Sequence, residues 1–135
     1  MRNAQVQEIE GERGQATLRV ERPGFVRVRY QGICEAAHAT SVTDLLDEWV
    51  AEGRSVVIAV DALELHSYST EFRRQWTRWL LDNRARLLAF EVLTESRIAI
   101  MGIAVVNVAT GGAIRAHASH ETFDAALAEY VAAAA

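Results

Sequence analysis

A chain of 135 residues, half of them hydrophobic and 24% charged, is long enough to bury the core of one domain and too short for two ordinary ones. Its formal net charge of −4 argues against nucleic acid as a partner, because phosphate binding relies on a basic field. The lone Cys34 allows no internal disulfide, the opening eight residues are too polar for a secretory signal, and no apolar run reaches spanning length, so a single cytoplasmic domain over residues 1–135 is expected.

Residues 4–10 read as a short edge strand and 11–14 as a turn. Over 16–21, Leu18 and Val20 alternate with Arg19 and Glu21, the period of a strand with one wet face. Pro23-Gly24 supplies a reversal, and over 25–30 Val26, Val28 and Tyr30 alternate with Arg27 and Arg29. These two strands make an antiparallel hairpin, which Gly32 ends. Residues 34–52 read as a helix with Leu45, Leu46, Trp49 and Val50 as its stripe, starting as late as Ser41 if Thr40 to Thr43 resist it, and Gly53 stops it.

The stretch from Ser55 to Leu81 organises the rest. Val56 to Val60 is an almost unbroken β-branched run, which suits a central strand covered on both faces. After Asp61 a polar turn is expected, and then a helix whose Phe72, Trp76, Trp79 and Leu80 recur at i, i+4, i+7 and i+8. Residues 87–93 form the next buried strand. Periodicity leaves 98–109 open: Met101, Val105 and Val108 fit a helix and the β-branched density fits a strand. The short link before it and Gly111-Gly112 after it favour a helix. A last strand over 113–118 leads to Ser119 as an N-cap and a helix with Phe123, Leu127, Tyr130 and Val131 on one stripe. Strict alternation after the hairpin implies an α/β fold with a mixed, mostly parallel sheet and about four helices on its two sides.

Three stretches carry a family resemblance: the strand 56–61 with the Ser-rich turn and helix after it, the βα unit at 87–109, and His117-Ala118-Ser119-His120-Glu121-Thr122 leading into the last helix. In this order and texture the chain resembles the STAS domains, the family named for sulfate transporters and bacterial anti-sigma-factor antagonists. The resemblance implies a non-catalytic regulatory module that binds a protein partner, a regulator or a kinase-like protein, and needs no cofactor. In phosphorylatable members the turn after the central strand reads Asp-Ser-Ser-Gly and its second serine is the switch. Ser67-Tyr68-Ser69-Thr70 matches it only at Ser69, without the acid or the glycine. Members that bind small or lipid-like ligands supply a second expectation, a pocket walled by the helix over 98–109 and lined by Trp76, Met101 and Val105. A homodimer is a third, to be recognised by exposed apolar side chains on the hairpin or the last helix.

If the parallel strands end near Asp61, Leu93 and Ala118, the loops beyond them share one rim. That gathers His66, Ser67, Tyr68, Ser69, Glu95, Ser96, Arg97, Ser119 and His120, with Arg73 and Arg74 on the adjoining helix, as a docking rim. Ser69 there is a phosphoacceptor candidate or, by the ordinary preference of serine, a simple helix cap. His117 and His120, with His66 or Glu95, raise a metal reading that their spacing does not carry, and no metal is expected. Arg73, Arg74, Arg78, Arg84 and Arg86 suit an acidic partner or anionic headgroups, although Glu71 and Asp82 offset them and a solvated face is the commoner meaning. Trp79 sits where the stripe is wide enough to anchor a partner. No nucleophile elbow is present, and with no lysine in the chain no phosphate-loop lysine exists.

Overall fold

The computed structural model describes residues 6–133. Strands β1 (Val6–Glu10), β2 (Gly14–Arg22) and β3 (Phe25–Cys34) form an antiparallel meander, so the expected hairpin has a third arm. Residues 4 and 5 of the expected first strand lie outside the described residues. Strands β4 (Val56–Tyr68), β5 (Leu87–Leu93) and β6 (Arg115–His117) then add in parallel, giving six strands in sequential order. The helices α1 (Ala36–Ala51), α2 (Thr70–Asn83), α3 (Arg97–Thr110) and α4 (His120–Ala133) occupy the connections and the end of the described chain. Residues 98–109 are thus helical, and α3 stops at Gly111 in the left-handed region (φ 72°).

Side-chain alternation along the strands sorts the core into two layers. Val26, Val28, Tyr30, Ile58, Val60, Phe90 and Val92 point to the side covered by α1, α2 and α3. Phe25, Val57, Ala59, Ala89 and Leu93 point to the other, where Phe123 and Leu127 of α4 meet them.

The largest departure from expectation is the length of β3 and β4. The segment after Asp61, expected as a polar turn, remains a strand to Tyr68, and Gly32 does not end β3, which runs on to Cys34. Each extension is the other's partner: Gln31 lies opposite Glu64, Gly32 opposite Leu65, Ile33 opposite Ser67 and Cys34 opposite Tyr68. Buried Ala62 and Leu65 hold the segment to the core, while Leu63 and Glu64 are exposed. Two register shifts between β3 and β4, after Arg29 and after Gly32, accommodate the extra length by leaving one surplus residue each in β4. At one of them Gly32 takes φ +72°, where an added Cβ would run into the carbonyl oxygen of Arg13, so glycine marks a bulge here and not a strand end. Cys34, expected as the first helical residue, closes β3 instead, and α1 begins at Ala36, earlier than the Ser41 alternative. The last strand is only three residues long, against the six expected.

Candidate functional site

The β4 extension decides what stands at the start of α2. Ser69 has extended backbone, its amide donates to the Cys34 carbonyl at 3.0 Å, and its Oγ accepts from the Phe72 amide at 3.1 Å. The sheet therefore holds Ser69 from one side while its hydroxyl caps the helix on the other. Glu71 in the first turn faces the positive end of the helix dipole. Ser67, Tyr68, Ser69 and Arg73 are half-buried, and His66 and Arg74 are exposed. Of the remaining arginines of this stretch, Arg84 donates to the Thr110 carbonyl at 3.3 Å and Arg86 to the Gly53 carbonyl at 3.1 Å, so both brace neighbouring elements.

The expected rim is split between two faces. Tyr68 joins the start of α2 to α3 by donating to the Ile98 carbonyl at 3.0 Å, which brings it beside Glu95, Ser96 and Arg97 at the head of that helix. The close approach depends on Gly102: a Cβ there would collide with the Tyr68 hydroxyl. Ser119 and His120 instead follow β6 to the α4 side. His120 lines a groove there with Arg27, Arg29 and Asp61, across the sheet from α2 and α3. The sheet separates what adjacency of loop ends had grouped, because α1, α2 and α3 all cross on one face while α4, after the last strand, packs on the other.

Between β4, α2 and α3 lies an apolar cavity of about 80 Å³, lined among others by Val60, Phe72, Trp76, Phe90, Ile103 and Val106, with Arg73 and Tyr68 in its wall. Trp76 was expected there; Met101 and Val105 were not found there, because the register of α3 turns both outward and presents Ala99, Gly102, Ile103 and Val106 instead. Aromatic edges stiffen the floor: Trp76 meets Phe90 at 5.1 Å and Tyr30 meets Phe72 at 5.0 Å between ring centroids. The buried Tyr30 hydroxyl accepts from Trp76 Nε1 at 3.2 Å and donates to the His38 carbonyl at 3.3 Å. Burial raises its pKa far above the usual phenol range, and burial likewise pushes the nearby Cys34 thiol up to about 11. Trp79, read as a possible partner anchor, is buried, and its Nε1 donates to Asp47 of α1 at 2.8 Å.

No protein-family model matches this sequence, and no curated protein does. Solved structures do. An uncharacterised protein of the DUF3478 family with a SpoIIAA-like fold, from Shewanella loihica PV-4, superposes with a TM-score of 0.60 over 94% of this chain and 95% of its own, at 12% identity. An anti-sigma factor antagonist from Mycobacterium paratuberculosis does so with a TM-score of 0.53 over 93% and 95%, at 10% identity. This is a STAS-like fold.

The α4 side of the STAS-like domain holds a buried cluster of charge that the sequence reading missed. Glu91, on β5, is 1% exposed and accepts two bonds to its Oε2 from Arg115, at 3.0 and 2.8 Å, and one at 2.7 Å from His117 Nε2 to its Oε1. His117 Nδ1 in turn lies 3.1 Å from the Thr122 hydroxyl. His117 therefore fastens β6 and the first turn of α4 to the sheet and is not free for a ligand. A single acid inside the run Ala89-Phe90-Glu91-Val92-Leu93 was the available signal, since a carboxylate amid buried strand residues requires a cation beside it.

Proposed function

We propose that this STAS-like domain is a non-catalytic regulatory module of a bacterial cytoplasmic signalling system, which docks a protein partner around the start of α2. The observation that carries this is the position of Ser69. It is half-buried at the end of β4, at the N-cap of a 14-residue helix, beside exposed Thr70, Glu71 and Arg74. A phosphate on Ser69 would add charge where the first amides of α2 and its dipole favour an anion, and would change the surface read by a partner without unpacking the core. Sharing a fold with an anti-sigma factor antagonist supports the same reading. The test is cross-linked affinity capture from the source cells with wild type, Ser69→Ala and Ser69→Asp, since aspartate retains the cap. A partner held by one variant and released about tenfold by the other is expected. Equal recovery by both variants rejects the switch, and no recovery by wild type rejects the docking site.

A second reading rests on the cavity. An apolar lining with Arg73 in its wall suits a short apolar chain with an anionic head, whose tail lies among Phe72, Trp76 and Ile103. Hexanoate is the probe: it should perturb tryptophan fluorescence saturably, more weakly in Arg73→Gln, and not at all when Ile103→Trp fills the space. An unchanged spectrum in wild type rejects this reading.

A further inference from the structure

From Ile98 to Ile114 the chain carries no charged side chain, yet much of α3 faces solvent. Ala99, Gly102, Val106 and Thr110 are the buried edge of this helix. On its outer side Ile98, Met101, Val105 and Val108 are all at least half exposed, Met101 at 67% and Val108 at 89%. A patch of neighbouring large apolar side chains on one helix is unlike the scattered apolar residues of an ordinary soluble surface.

The spacing of the four is what distinguishes the occupants that could cover them. They step by three, four and three residues, the a and d positions of a helix that packs against another helix. The ends are complementary as well. Arg97 stands at the N-terminus of α3, and the C-terminus before Gly111 presents the negative end of the helix dipole, where Arg84 holds the Thr110 carbonyl and the Gly111 and Gly112 amides hold that of Asn107. Two copies of α3 placed antiparallel bring each Arg97 to the other's C-terminus and oppose their dipoles, while a parallel pair would set one Arg97 against the other. A bilayer with anionic headgroups is the weaker match, because the whole chain carries a net charge of −4 and the exposed stripe has no cation within it.

We propose that the outer face of α3 is the seam of a symmetric homodimer, in which α3 packs antiparallel against α3 of a second copy. The two-fold axis then crosses the outer face between Met101 and Val105, level with position 103 of the helix. Ile98 of each copy meets Val108 of the other, and Met101 meets Val105. With four side chains from each copy the interface is at the small end of specific contacts, so the dimer forms and dissociates with concentration. This surface meets the Ser69 rim only at Arg97 and Ile98, where Tyr68 bonds the Ile98 carbonyl, and it is separate from the cavity, which uses the inner face of the same helix.

Sedimentation of the full chain over a concentration series tests it. The weight-average mass should climb from 14.9 kDa toward twice that value. Val108→Arg, at a site exposed enough to leave the fold intact, should weaken association by about tenfold or more. Met101→Glu and Val105→Arg should each do the same. The double variant M101E/V105R should recover the dimer, because the antiparallel register sets each new carboxylate opposite a new guanidinium; circular dichroism confirms that each variant is folded. Any of three results overturns the proposal: a wild type that stays monomeric, a dimer indifferent to Val108→Arg, or a double variant as monomeric as the singles. A monomer that floats with phosphatidylcholine–phosphatidylserine vesicles and loses this with Val108→Arg would also overturn it and assign the face to a membrane surface.

Discussion

On one face of the sheet three helices close over Val26, Val28, Ile58, Val60, Phe90 and Val92, and an aromatic group around Trp76 fills most of the space above them. On the other, α4 alone covers Phe25, Val57, Ala59 and Leu93, and Arg19, Arg27 and Arg29 line an open groove beside its first turn. One helix about 10 Å wide cannot shield six strands, so the uncovered positions must be soluble. That is why β2 and β3 alternate between apolar and polar or charged residues, and why β4 at its centre does not. The covered face has thickness to spare for a cavity; the thin face meets its one buried charge with the Arg115 and His117 clasp on Glu91.

The sharpest way to break this comparison is to cut matched leucines. Leu80 on α2 and Leu127 on α4 both have no exposed surface. Leu80→Ala, surrounded on all sides, should cost about 4 kcal/mol, and Leu127→Ala, beside a groove into which neighbours relax, about 2.5 kcal/mol. Urea unfolding measures both, and equal losses would mean that α4 packs as fully as α2. Next in size is Gly102→Ala, expected to cost about 2 kcal/mol through the clash with Tyr68. With Tyr68→Ala in place the same change should instead stabilise by up to about 1 kcal/mol, the ordinary helix preference for alanine. A destabilisation of equal size in both backgrounds would remove Tyr68 as the reason for the glycine.

The pH response should also differ between buried and exposed groups. Burial raises the Cys34 thiol from 9.0 to about 11, so the folded state holds this proton more tightly than the unfolded chain. Its contribution is intact below pH 9.0 and is lost as pH climbs through about 11. Thermal melts across that window should show a fall in stability that Cys34→Ala reduces. Glu64 is shifted the other way, downward, by bonds from Gln31 and Arg29. Its contribution is present at neutral pH and fades as pH drops through the carboxylate range, but its exposure leaves it screened and small. Smallest of all is Arg19→Ala on the open groove, expected within about 0.5 kcal/mol by the same melts. A larger loss would mean that the groove carries structure.

Local chemistry made much of this legible. The β-branched run at 56–60, the helix stripe of Phe72, Trp76, Trp79 and Leu80, the strand at 87–93 and the glycines after the helices are all signals within a few residues of what they specify, and the structure has each of them. Ser69 as the cap of α2 is of the same kind, since a serine bonds an amide only three residues away. What the residues could not disclose was long-range partnership. The segment 62–68 has the polarity of a loop, and it is a strand because residues 31–34, some thirty positions earlier, pair with it. Glu91 is tolerable in the core only because β6 delivers Arg115 and His117 to it. Composition and periodicity by themselves determined the elements, their order and the α/β class. Only the tertiary structure decided that Ser69 and His120 lie on opposite faces and that Met101 and Val105 look outward, because helix rotation and the sides on which connections leave a sheet are settled by packing between distant parts of the chain.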